Sequence, residues 1–408
     1  MIIEKDSLFV TKPVSEICKI SLGGTPRTGV KDFWDGEIKW ITAKDISKNQ
    51  GRYISESERR ITKLAAEESN AKVLPKDTIV ITSRGTVGKI AILQGPMSFN
   101  QTCYGLNPHN GQDALFVYYA LKNSLERIRT ISYGTVFQTI TIKTFSEIEI
   151  PNPPIEEQQA IAKILSDLDS KIELNQQTNK TLESIAQAIF KHWFIDFEFP
   201  NEEGKPYKSN GGEMVGSEIG KIPERWKVDR LEMLIDNFDS KRVPLSSRER
   251  AKKRGPYPYY GATKIVDYVD DFLFDGVYLL LGEDGTVIDN SGNPILQYVW
   301  NKFWVNNHAH VLTGKGPYST EFVYLLLKNE NIGHIITGAV QLKINQSNLN
   351  NLRVIIPPNN IVKKFEEYLK ILFTQYRNLS EETKNLEKIK DLLLPKLMSG
   401  KIRVPLES

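Results

Sequence analysis

The segment Ile155–Trp193, IEEQQAIAKILSDLDSKIELNQQTNKTLESIAQAIFKHW, carries a regular apolar pattern. Mostly apolar positions recur at alternating spacings of four and three residues, which is typical of a helix that packs against another helix in a coiled coil. We call this stripe the first seam, and it consists of Ile161, Leu165, Leu168, Ile172, Asn175, Asn179, Leu182, Ala186, Ile189 and Trp193. The pattern predicts one long helix that begins after a pair of prolines and runs to about Phe194.

The same spacing recurs half a chain later. Adding 204, half of the 408-residue length, to each position gives a second seam, most of which is apolar. It consists of Phe365, Leu369, Leu372, Tyr376, Leu379, Thr383, Leu386, Lys390, Leu393 and Leu397. We predict a second long helix from about Asn360 to Leu394, which Pro395 ends or kinks because proline has no amide hydrogen to donate. Gly400 is a candidate cap beyond it.

A mixed α/β segment precedes each predicted helix. FVYYALKN at Phe116–Asn123 matches FVYLLLKN at Phe322–Asn329 at six of eight positions. The β-branched stretches Lys76–Thr82 and Lys89–Leu93 predict two strands, with a turn around Gly85 between them. The chain is therefore a tandem repeat of a globular segment followed by a long helix.

The predicted fold class is α+β, with two mixed α/β domains, two long helices that form an antiparallel coiled coil, and an internal pseudo-twofold repeat. The first domain covers residues 1–152 and its helix 153–198. The second domain lies within 199–356, after a glycine-rich linker at 200–223, and its helix and tail cover 357–408.

The amino-acid composition excludes few classes of protein. Hydrophobic residues make up 40% of the chain, charged residues 25%, and the net charge of +3 is too small to identify a polyanionic partner by itself. No apolar run approaches the ~20 residues that span a bilayer. We expect a cytoplasmic protein that does not enter a membrane.

Two fragments resemble catalytic motifs and depart from them. Asn152–Pro154 resembles the start of the Asn-Pro-Pro-aromatic loop of adenine methyltransferases, but the next residue is Ile155, which offers no aromatic face to a flipped base. GTVGK at Gly85–Lys89 resembles the end of a phosphate-binding loop, but Ser83 and Ile90 stand where a glycine and a hydroxyl belong. We predict no catalytic residue in this chain.

Histidine and cysteine do not indicate a metal site either. His308 and His310 lie two residues apart, and no third ligand is near them in the sequence. Cys18 and Cys103 are too few for a thiolate site. We therefore predict no bound metal.

Basic residues are concentrated between Lys241 and Arg254, next to several tyrosines. Such a run suits a phosphate backbone, although an ordinary solvated loop explains it equally well. The candidate nucleic-acid contacts in this segment are Lys241, Arg242, Arg248, Lys252, Lys253, Arg254 and Tyr259. The candidates in the first segment are Arg27, Lys31 and Lys44, together with the hydrogen-bonding residues Ser83, Arg84, Thr86 and Gln101.

Across nearly its whole length the chain resembles the specificity subunit of type I restriction–modification systems. The fragments that carry the resemblance are GGTP at 23–26, IKWITAKDI at 38–46, TSRGTVGKIAIL at 82–93, PPIEEQQAIAKIL at 153–165, YYGATKIVDYVDDFLFDGVYLLLGEDGTV at 259–287 and LPKLMSGKIRV at 394–404. One departure is in the second helix, where Asn360, Ile361 and Val362 replace the EEQ of the first.

The resemblance implies a function. Each domain would be a target recognition domain for one half of a split sequence in double-stranded DNA. The helices would act as a spacer and dock two methyltransferase subunits, and restriction subunits would join the assembly. No cofactor is expected in this chain, because S-adenosylmethionine, Mg²⁺ and ATP would belong to those partners. Two alternatives remain open: a free-standing adenine methyltransferase, and a coiled-coil scaffold without nucleic-acid function.

Symmetry predicts the direction of helix pairing. A protein with a pseudo-twofold repeat that reads two segments of one duplex should align its axis with a local twofold axis of the DNA. If the helices lie along the duplex, that operation makes them antiparallel. The seams should then place Ile161 near Leu397 and Trp193 near Phe365.

Overall fold

The computed structural model describes residues 8–49, 51–126, 128, 139–338 and 342–405. The chain divides into two compact units, of which unit 1 is Met1–Gln176 with Ser380–Ser408 and unit 2 is Gln177–Leu379. Each unit contains a mixed α/β domain together with part of each long helix. Among the described residues, no helix combines the length and apolarity needed to cross a bilayer.

Unit 1 begins with short strands and helices that lead into a buried sheet. Its strands are β1 Thr11–Pro13, β2 Cys18–Leu22, β3 Trp34–Ile41, β4 Tyr53–Ile54, β5 Arg59–Ile61, β6 Ile79–Thr82, β7 Ile90–Leu93, β8 Ser98–Phe99, β9 Cys103–Pro108 and β10 Glu149–Pro151. Its helices are α1 Val14–Ile17, α2 Ala43–Lys48, α3 Lys63–Glu68, α4 Ala114–Asn123, α5 Ile142–Glu147 and the first part of α6 Ile155–Phe190, with a 3-10 turn at Lys31–Phe33.

Two sheets form the domain of unit 1. One has the order β2-β9-β6-β7-β4 and the other the order β5-β3-β8. Every residue of β6 is buried, which explains why this strand is an unbroken run of β-branched residues rather than an alternating one. The two strands predicted around Gly85 are confirmed as the antiparallel pair β6 and β7. Gly85 has a φ of +76°, which suits a glycine in the turn between them.

Unit 2 repeats this arrangement. Its strands are β11 Met214–Ser217, β12 Gly220–Pro223, β13 Lys227–Arg230, β14 Ile235–Asn237, β15 Tyr257–Tyr260, β16 Ile265–Val269, β17 Phe274–Asp275, β18 Tyr278–Gly282, β19 Leu296–Val299, β20 Lys302–Val305, β21 Ala309–Gly314 and β22 Arg353–Ile356. Its helices are α7 Ser247–Lys252, α8 Thr320–Lys328, α9 Gln346–Asn350 and the first part of α10 Asn359–Met398, with 3-10 turns at Lys208–Asn210, Leu231–Met233, Asp239–Lys241 and Gly333–Ile335.

The sheets of unit 2 have the orders β14-β21-β18-β19 and β16-β15-β20-β17. The first order corresponds to β2-β9-β6-β7 of unit 1. In the second sheet, β15 pairs in parallel with β20, as β3 pairs in parallel with β8 in unit 1. The repeat predicted from sequence therefore extends through both sheets, including parts where the two sequences match poorly.

The first long helix is confirmed. Helix α6 has 36 residues and continues into a π-helical turn at Lys191–Ile195. The amides of Glu157 and Gln158 donate to the carbonyl of Pro154, as expected for a helix that begins after a proline.

The second long helix is longer than predicted. Helix α10 has 40 residues and contains Pro395, so of the two predicted effects of this proline, an end or a kink, the end is wrong. The helix continues because the next turn buries Leu397 and Met398 in the core of unit 1. Burial of two such side chains contributes about 1.5–3 kcal/mol each, which offsets the cost of roughly 3 kcal/mol for an internal proline. Gly400, at a φ of +73°, follows the helix and is consistent with the predicted cap.

The helices pair antiparallel within each unit, as predicted. In unit 1, Ile161 and Leu165 from the start of α6 share a core with Leu394 and Leu397 from the end of α10. In unit 2, the rings of Trp193 and Phe365 lie 5.5 Å apart between centroids, and both belong to the core of that unit. Every predicted seam residue is buried or half-buried.

One polar seam residue has an unexpected partner. Asn175 is 1% exposed, and its amide nitrogen donates to a carboxylate oxygen of Glu382 at 2.9 Å. Lys171 lies 3.2 Å from the same carboxylate. The amide is therefore satisfied by a charged group from the side of the partner helix, and burial costs less than it would for an unpaired amide.

The segment predicted as a linker contains regular structure. Strands β11 and β12 form an antiparallel hairpin within residues 200–223. Phe199 stacks on Tyr207 and on Trp226, with centroid distances of 4.6 and 5.0 Å. The glycines indicated flexibility in the sequence, but the aromatic stack joins the segment to the core of unit 2.

Buried charges connect the domain of unit 1 to its helices. Lys390 donates to Asp169 at 2.8 Å, and the hydroxyl of Tyr119 on α4 donates to the same carboxylate at 2.7 Å. Burial raises the pKa of Asp169, but these hydrogen bonds outweigh it and hold the pKa below its usual value. Arg52 adds a bond to the carbonyl of Ser166 at 2.7 Å.

Replacing Asp169 by Asn should destabilise unit 1 by about 3 kcal/mol at pH 7, because the buried ammonium of Lys390 loses its counter-charge. The pKa of Asp169 is depressed in the folded state, so its contribution is complete above the unfolded value of about 3.9 and is lost as pH falls through the folded value. The difference between the proteins should therefore shrink below about pH 4. Urea unfolding followed by hydrogen exchange in β6 measures it.

Asp167→Asn is the matched control. Asp167 pairs with Lys163 at 2.7 Å on the exposed face of the same helix, where ion pairs contribute only about 0–1 kcal/mol. Equal destabilisation of the two variants would contradict a special role for the buried pair.

Candidate nucleic-acid interface

The basic run of unit 2 lies on and beside the short helix α7. A reciprocal cap between Ser246 and Glu249 begins this helix. The run presents exposed cations before, on and after the helix: Lys241, Arg248, Lys252, Lys253 and Arg254. Such a concentration of exposed positive charge in one short segment suits contacts with a phosphate backbone.

Two arginines of the run have internal partners instead. Arg242 lies 2.7 Å from a carboxylate oxygen of Glu283 and donates to the carbonyl of Ala309 at 2.8 Å. Arg250 donates to Asp267 at 2.9 Å and to the carbonyl of Leu245 at 2.7 Å. Arg242, which we predicted as a nucleic-acid contact, therefore anchors the run to the sheet in this structure.

Two further predicted contacts lie inside the protein. Tyr259 is 1% exposed, and its hydroxyl accepts a hydrogen bond from the amide of Leu245 at 2.9 Å. Ser83 is 2% exposed, and its hydroxyl donates to the carbonyl of Thr102 at 2.9 Å. Neither side chain is available to DNA in this structure, so we leave both out of the interface. Residue type suggested a contact at each position, but the strand and turn direct these groups inward.

The other hydrogen-bonding candidates of unit 1 meet at one edge of the domain. Arg84 and Thr86 are exposed in the turn between β6 and β7. Gln101 is exposed in the loop between β8 and β9 and is hydrogen-bonded to the hydroxyl of Thr25. The hydroxyls of Thr86 and Ser47 lie 2.6 Å apart. The edge presents guanidinium, hydroxyl and amide groups together, which are the groups that contact base edges.

The predicted basic contacts of unit 1 are also exposed. Arg27 and Lys31 lie in the loop before β3, and Lys44 lies on α2. Lys44 pairs with Glu58 at 2.7 Å, and that hydrogen bond raises the pKa of the lysine. Exposed pairs of this kind are weak, so a phosphate can replace the carboxylate at little cost.

Arg59 belongs to the basic residues that the sequence of the first segment offers, but its stacking on an indole ring could not be predicted. The guanidinium of the exposed Arg59 lies 3.6 Å from the ring centroid of Trp34, and the rings of Trp34 and Trp40 meet edge to face at 5.2 Å. Stacking on indole holds an arginine in a fixed orientation. The three residues are brought together by the pairing of β3 with β5, which the sequence spacing does not reveal.

A cluster of possible metal ligands in unit 2 is also visible only in the structure. Single ligand atoms of Asp239, Glu283 and His310 lie within 4.8 Å of one another, although no third ligand is near His310 in the sequence. His310 bonds to Asp239 through Nδ1 at 2.5 Å and to the carbonyl of Ile344 through Nε2 at 2.8 Å.

The partners of this cluster do not favour a metal ion. Arg242 contacts both carboxylates, and Lys343 lies 3.4 Å from Glu283. Burial raises the pKa of Asp239, but the bond from His310 and further donors outweigh it and lower the pKa. The carboxylates thus already face cationic side chains, and we describe the cluster as an internal charge network.

Known proteins share this architecture. Residues 7–184 and 223–390 match the family described as type I restriction modification DNA specificity domain. The chain is 33% identical, over 96% of its length and 93% of the relative's, to the type I restriction enzyme MjaIX specificity subunit of Methanocaldococcus jannaschii. It is 22% identical to the EcoprrI specificity subunit of Escherichia coli, over 85% of this chain and 82% of that one.

A solved structure has the same fold. The S subunit of a type I restriction–modification system from M. genitalium superposes with a TM-score of 0.58 at 18% identity, covering 98% of each chain. The paired helices and the two recognition domains define a DNA-specificity class of protein. The chain belongs to the type I restriction–modification specificity subunits and not to the catalytic subunits of these systems.

Alanine at Arg248, Lys252, Lys253 and Arg254 should weaken binding to all DNA sequences by similar factors, because phosphate contacts position a protein without specifying sequence. The slope of log affinity against log salt should flatten by up to ~0.9 for each phosphate that the variant no longer neutralises. Fluorescence anisotropy at several salt concentrations measures both quantities.

Alanine at Lys363, Lys364, Lys370 and Lys388 is the matched control. These exposed lysines of α10 carry the same total charge outside the basic run. An equal change in slope would show that net charge alone acts, and weaker binding to only one target sequence would show that the run contacts bases.

Proposed function

We propose that this chain recognises a bipartite DNA sequence, with one recognition domain for each half-site, and that it carries the methyltransferase and restriction subunits of a type I system to that sequence. One observation carries the proposal. The two units share a strand order but present different polar groups at corresponding edges. A duplicated scaffold with divergent surfaces suits a target made of two unlike halves.

Contacts in each unit support DNA recognition by a rigid edge. In unit 1, Arg84 and Gln101 project from a turn and a loop that a backbone hydrogen bond joins. In unit 2, Arg242 anchors the basic run with its exposed cations to the sheet. Preorganised donors lose less entropy on binding than flexible ones, which favours selective recognition.

Exposed apolar side chains on the long helices support the docking of two methyltransferase subunits. In unit 1 these are Leu174, Ile389 and Leu392, of which Leu392 is 65% exposed. In unit 2 they are Ile185, Tyr368 and Ile371, of which Ile371 is 70% exposed. Ile389 and Leu392, and likewise Tyr368 and Ile371, are three residues apart on α10 and therefore neighbours on its surface, and adjacent exposed apolar side chains are what a contact surface requires. Each unit therefore offers one docking face.

The chemistry of methylation and cleavage is assigned to the partners in this proposal. S-adenosylmethionine, Mg²⁺ and ATP would bind there. Ile155 supports this division, because it begins a helix where an adenine methyltransferase would need an aromatic residue for its flipped base. Restriction subunits would join the same assembly.

Reconstitution tests the proposal. The purified chain should transfer no methyl group from labelled S-adenosylmethionine to DNA, whereas the chain with its methyltransferase subunit should methylate a bipartite sequence. Ile371→Lys and Leu392→Lys should each reduce the number of bound methyltransferase subunits from two to one, because a lysine in an apolar contact must be desolvated. Native mass spectrometry counts the subunits.

Ile142→Lys is the control, since Ile142 is 56% exposed on α5, which is not one of the long helices. Methyl transfer by the lone chain, or two bound subunits in all three variants, would contradict the proposal.

A further inference from the structure

The segments that follow β6 and β8 in unit 1 correspond to those that follow β18 and β20 in unit 2. We call these segments the recognition edge of each unit, and the two edges share the same backbone hydrogen bonds. In unit 1, the amide of Ser83, just after β6, donates to the carbonyl of Thr102 at 2.7 Å. In unit 2, the amide of Glu283, just after β18, donates to the carbonyl of His308 at 2.9 Å. The strands before these residues also match, since β6 pairs with β9 as β18 pairs with β21.

A second pair of bonds fixes the adjoining loop. The amide of Asn100 donates to the carbonyl of Ile41 at 2.9 Å, and the amide of Asn306 donates to the carbonyl of Tyr260 at 3.0 Å. Each asparagine then accepts, through its side-chain oxygen, the amide two residues later: 3.2 Å in unit 1 and 2.9 Å in unit 2. The loop from 100 to 102 is thus equivalent to the loop from 306 to 308.

The turns contain the same short sequence, Gly-Thr-Val, at 85–87 and 285–287. Gly85 and Gly285 both have a left-handed φ, of +76° and +84°. A residue with a Cβ rarely adopts this conformation, so the glycine fixes the path of each turn. The residue immediately before the glycine therefore occupies the same place in both units: Arg84 in the first and Asp284 in the second.

The chemistry at this shared place is opposite in the two units. Arg84 offers only hydrogen-bond donors, whereas the carboxylate of Asp284 offers only acceptors. Asp284 is held by His308, whose Nδ1 lies 2.9 Å from the carboxylate. The side chain of His308 is 49% exposed and that of Asp284 is 22% exposed, so the pair reaches the surface.

An exposed cation lies beside the aspartate, because Lys343 is paired with Asp284 in an isolated β-bridge. Arg242 reaches the loop next to it, with Nη1 3.4 Å from the carbonyl of Asn307, and Lys241 is exposed one residue earlier. A carboxylate beside cations that face phosphates would be repelled by DNA unless it met a hydrogen-bond donor. In the major groove, the amino group of cytosine is the donor that aspartate and glutamate accept from.

We infer that Asp284 is a specificity-determining residue of the second recognition domain, that it contacts the amino group of a cytosine in the second half-site, and that His308 positions it. The equivalent residue of the first domain, Arg84, contacts a guanine, whose O6 and N7 match two guanidinium donors. This inference rests on the proposed function. It assigns the two half-sites opposite hydrogen-bond patterns at one corresponding base pair.

Sequence selection from a randomised duplex library tests the inference, with the full chain bound to its methyltransferase subunit. The wild-type complex should select cytosine at one position of the second half-site. Asp284→Asn should lower that preference about tenfold and shift it toward adenine, which an amide contacts through N6 and N7. Arg84→Gln should lose the guanine of the first half-site in the same way.

Two further variants separate the assigned role from a structural one. Asp236→Asn removes an exposed carboxylate from β14 of the same domain and should leave the selected sequence unchanged. His308→Ala should weaken the cytosine preference, and His308→Asn should restore it in part because an amide can donate to Asp284.

The possible outcomes separate a failure of the proposed function from a failure of the inference about Asp284. A wild-type complex that selects no sequence would remove the proposed function and the inference with it. A wild-type complex that selects two half-sites, with the second half-site unchanged in Asp284→Asn, would overturn the inference alone. A change in the first half-site caused by Asp284→Asn would also overturn it.

Discussion

The pairing of one end of helix α6 with the opposite end of helix α10 is the constraint on which each unit depends. The core of each mixed α/β domain includes residues of the long helices: α4 shares a core with Ile161 and Leu165 in unit 1, and Phe322 packs against Phe365 in unit 2. Burial of these apolar side chains is the main favourable contribution to folding of both units. The recognition edges are therefore held by domains whose cores include the long helices.

Charged contacts fix the position of each domain on its helices. In unit 1, Arg52, Tyr119 and Asp169 connect the domain to α6. In unit 2, Glu183 of α6 is bonded to Tyr324 and Lys328 of α8. Apolar contacts tolerate sliding more readily than paired buried charges do, because a shifted charge loses its partner. The two units use different residues for the same purpose, so the repeat preserves a physical role rather than a sequence.

The helices and their direction could be predicted because a seam is a local, periodic signal. Ile161 and Leu397 are placed by spacing and symmetry alone, and each is buried as expected. The extension past Pro395 could not be predicted, because it depends on the core that Leu397 and Met398 enter. At Pro395, burial in the tertiary structure outweighs the low helix propensity of proline.

The surface was harder to predict than the core. Residue type alone placed Ser83 and Tyr259 in the interface, but their hydrogen bonds direct them inward. Asp284 and His308 could not be identified from sequence because the match between the units there is limited to the three residues Gly-Thr-Val. Their correspondence with Arg84 and Thr102 emerges from backbone hydrogen bonds and one left-handed glycine. Such correspondences require coordinates, since they join residues distant in the chain.

The central claim is that each recognition domain determines one half of the target independently. Strand β1 pairs with β10 and brings Thr11 opposite Pro151, so these two residues are suitable boundaries for exchanging the domain between them. The segment between them can be replaced by the corresponding segment of the M. jannaschii relative, with Arg52 and Tyr119 kept so that the helix contacts remain.

Methylation mapping in a host that carries the exchanged subunit and its methyltransferase is the most direct measurement. We predict a new sequence in one half-site, with the other half-site unchanged. A folded, active complex in which both half-sites change, or neither does, would contradict it.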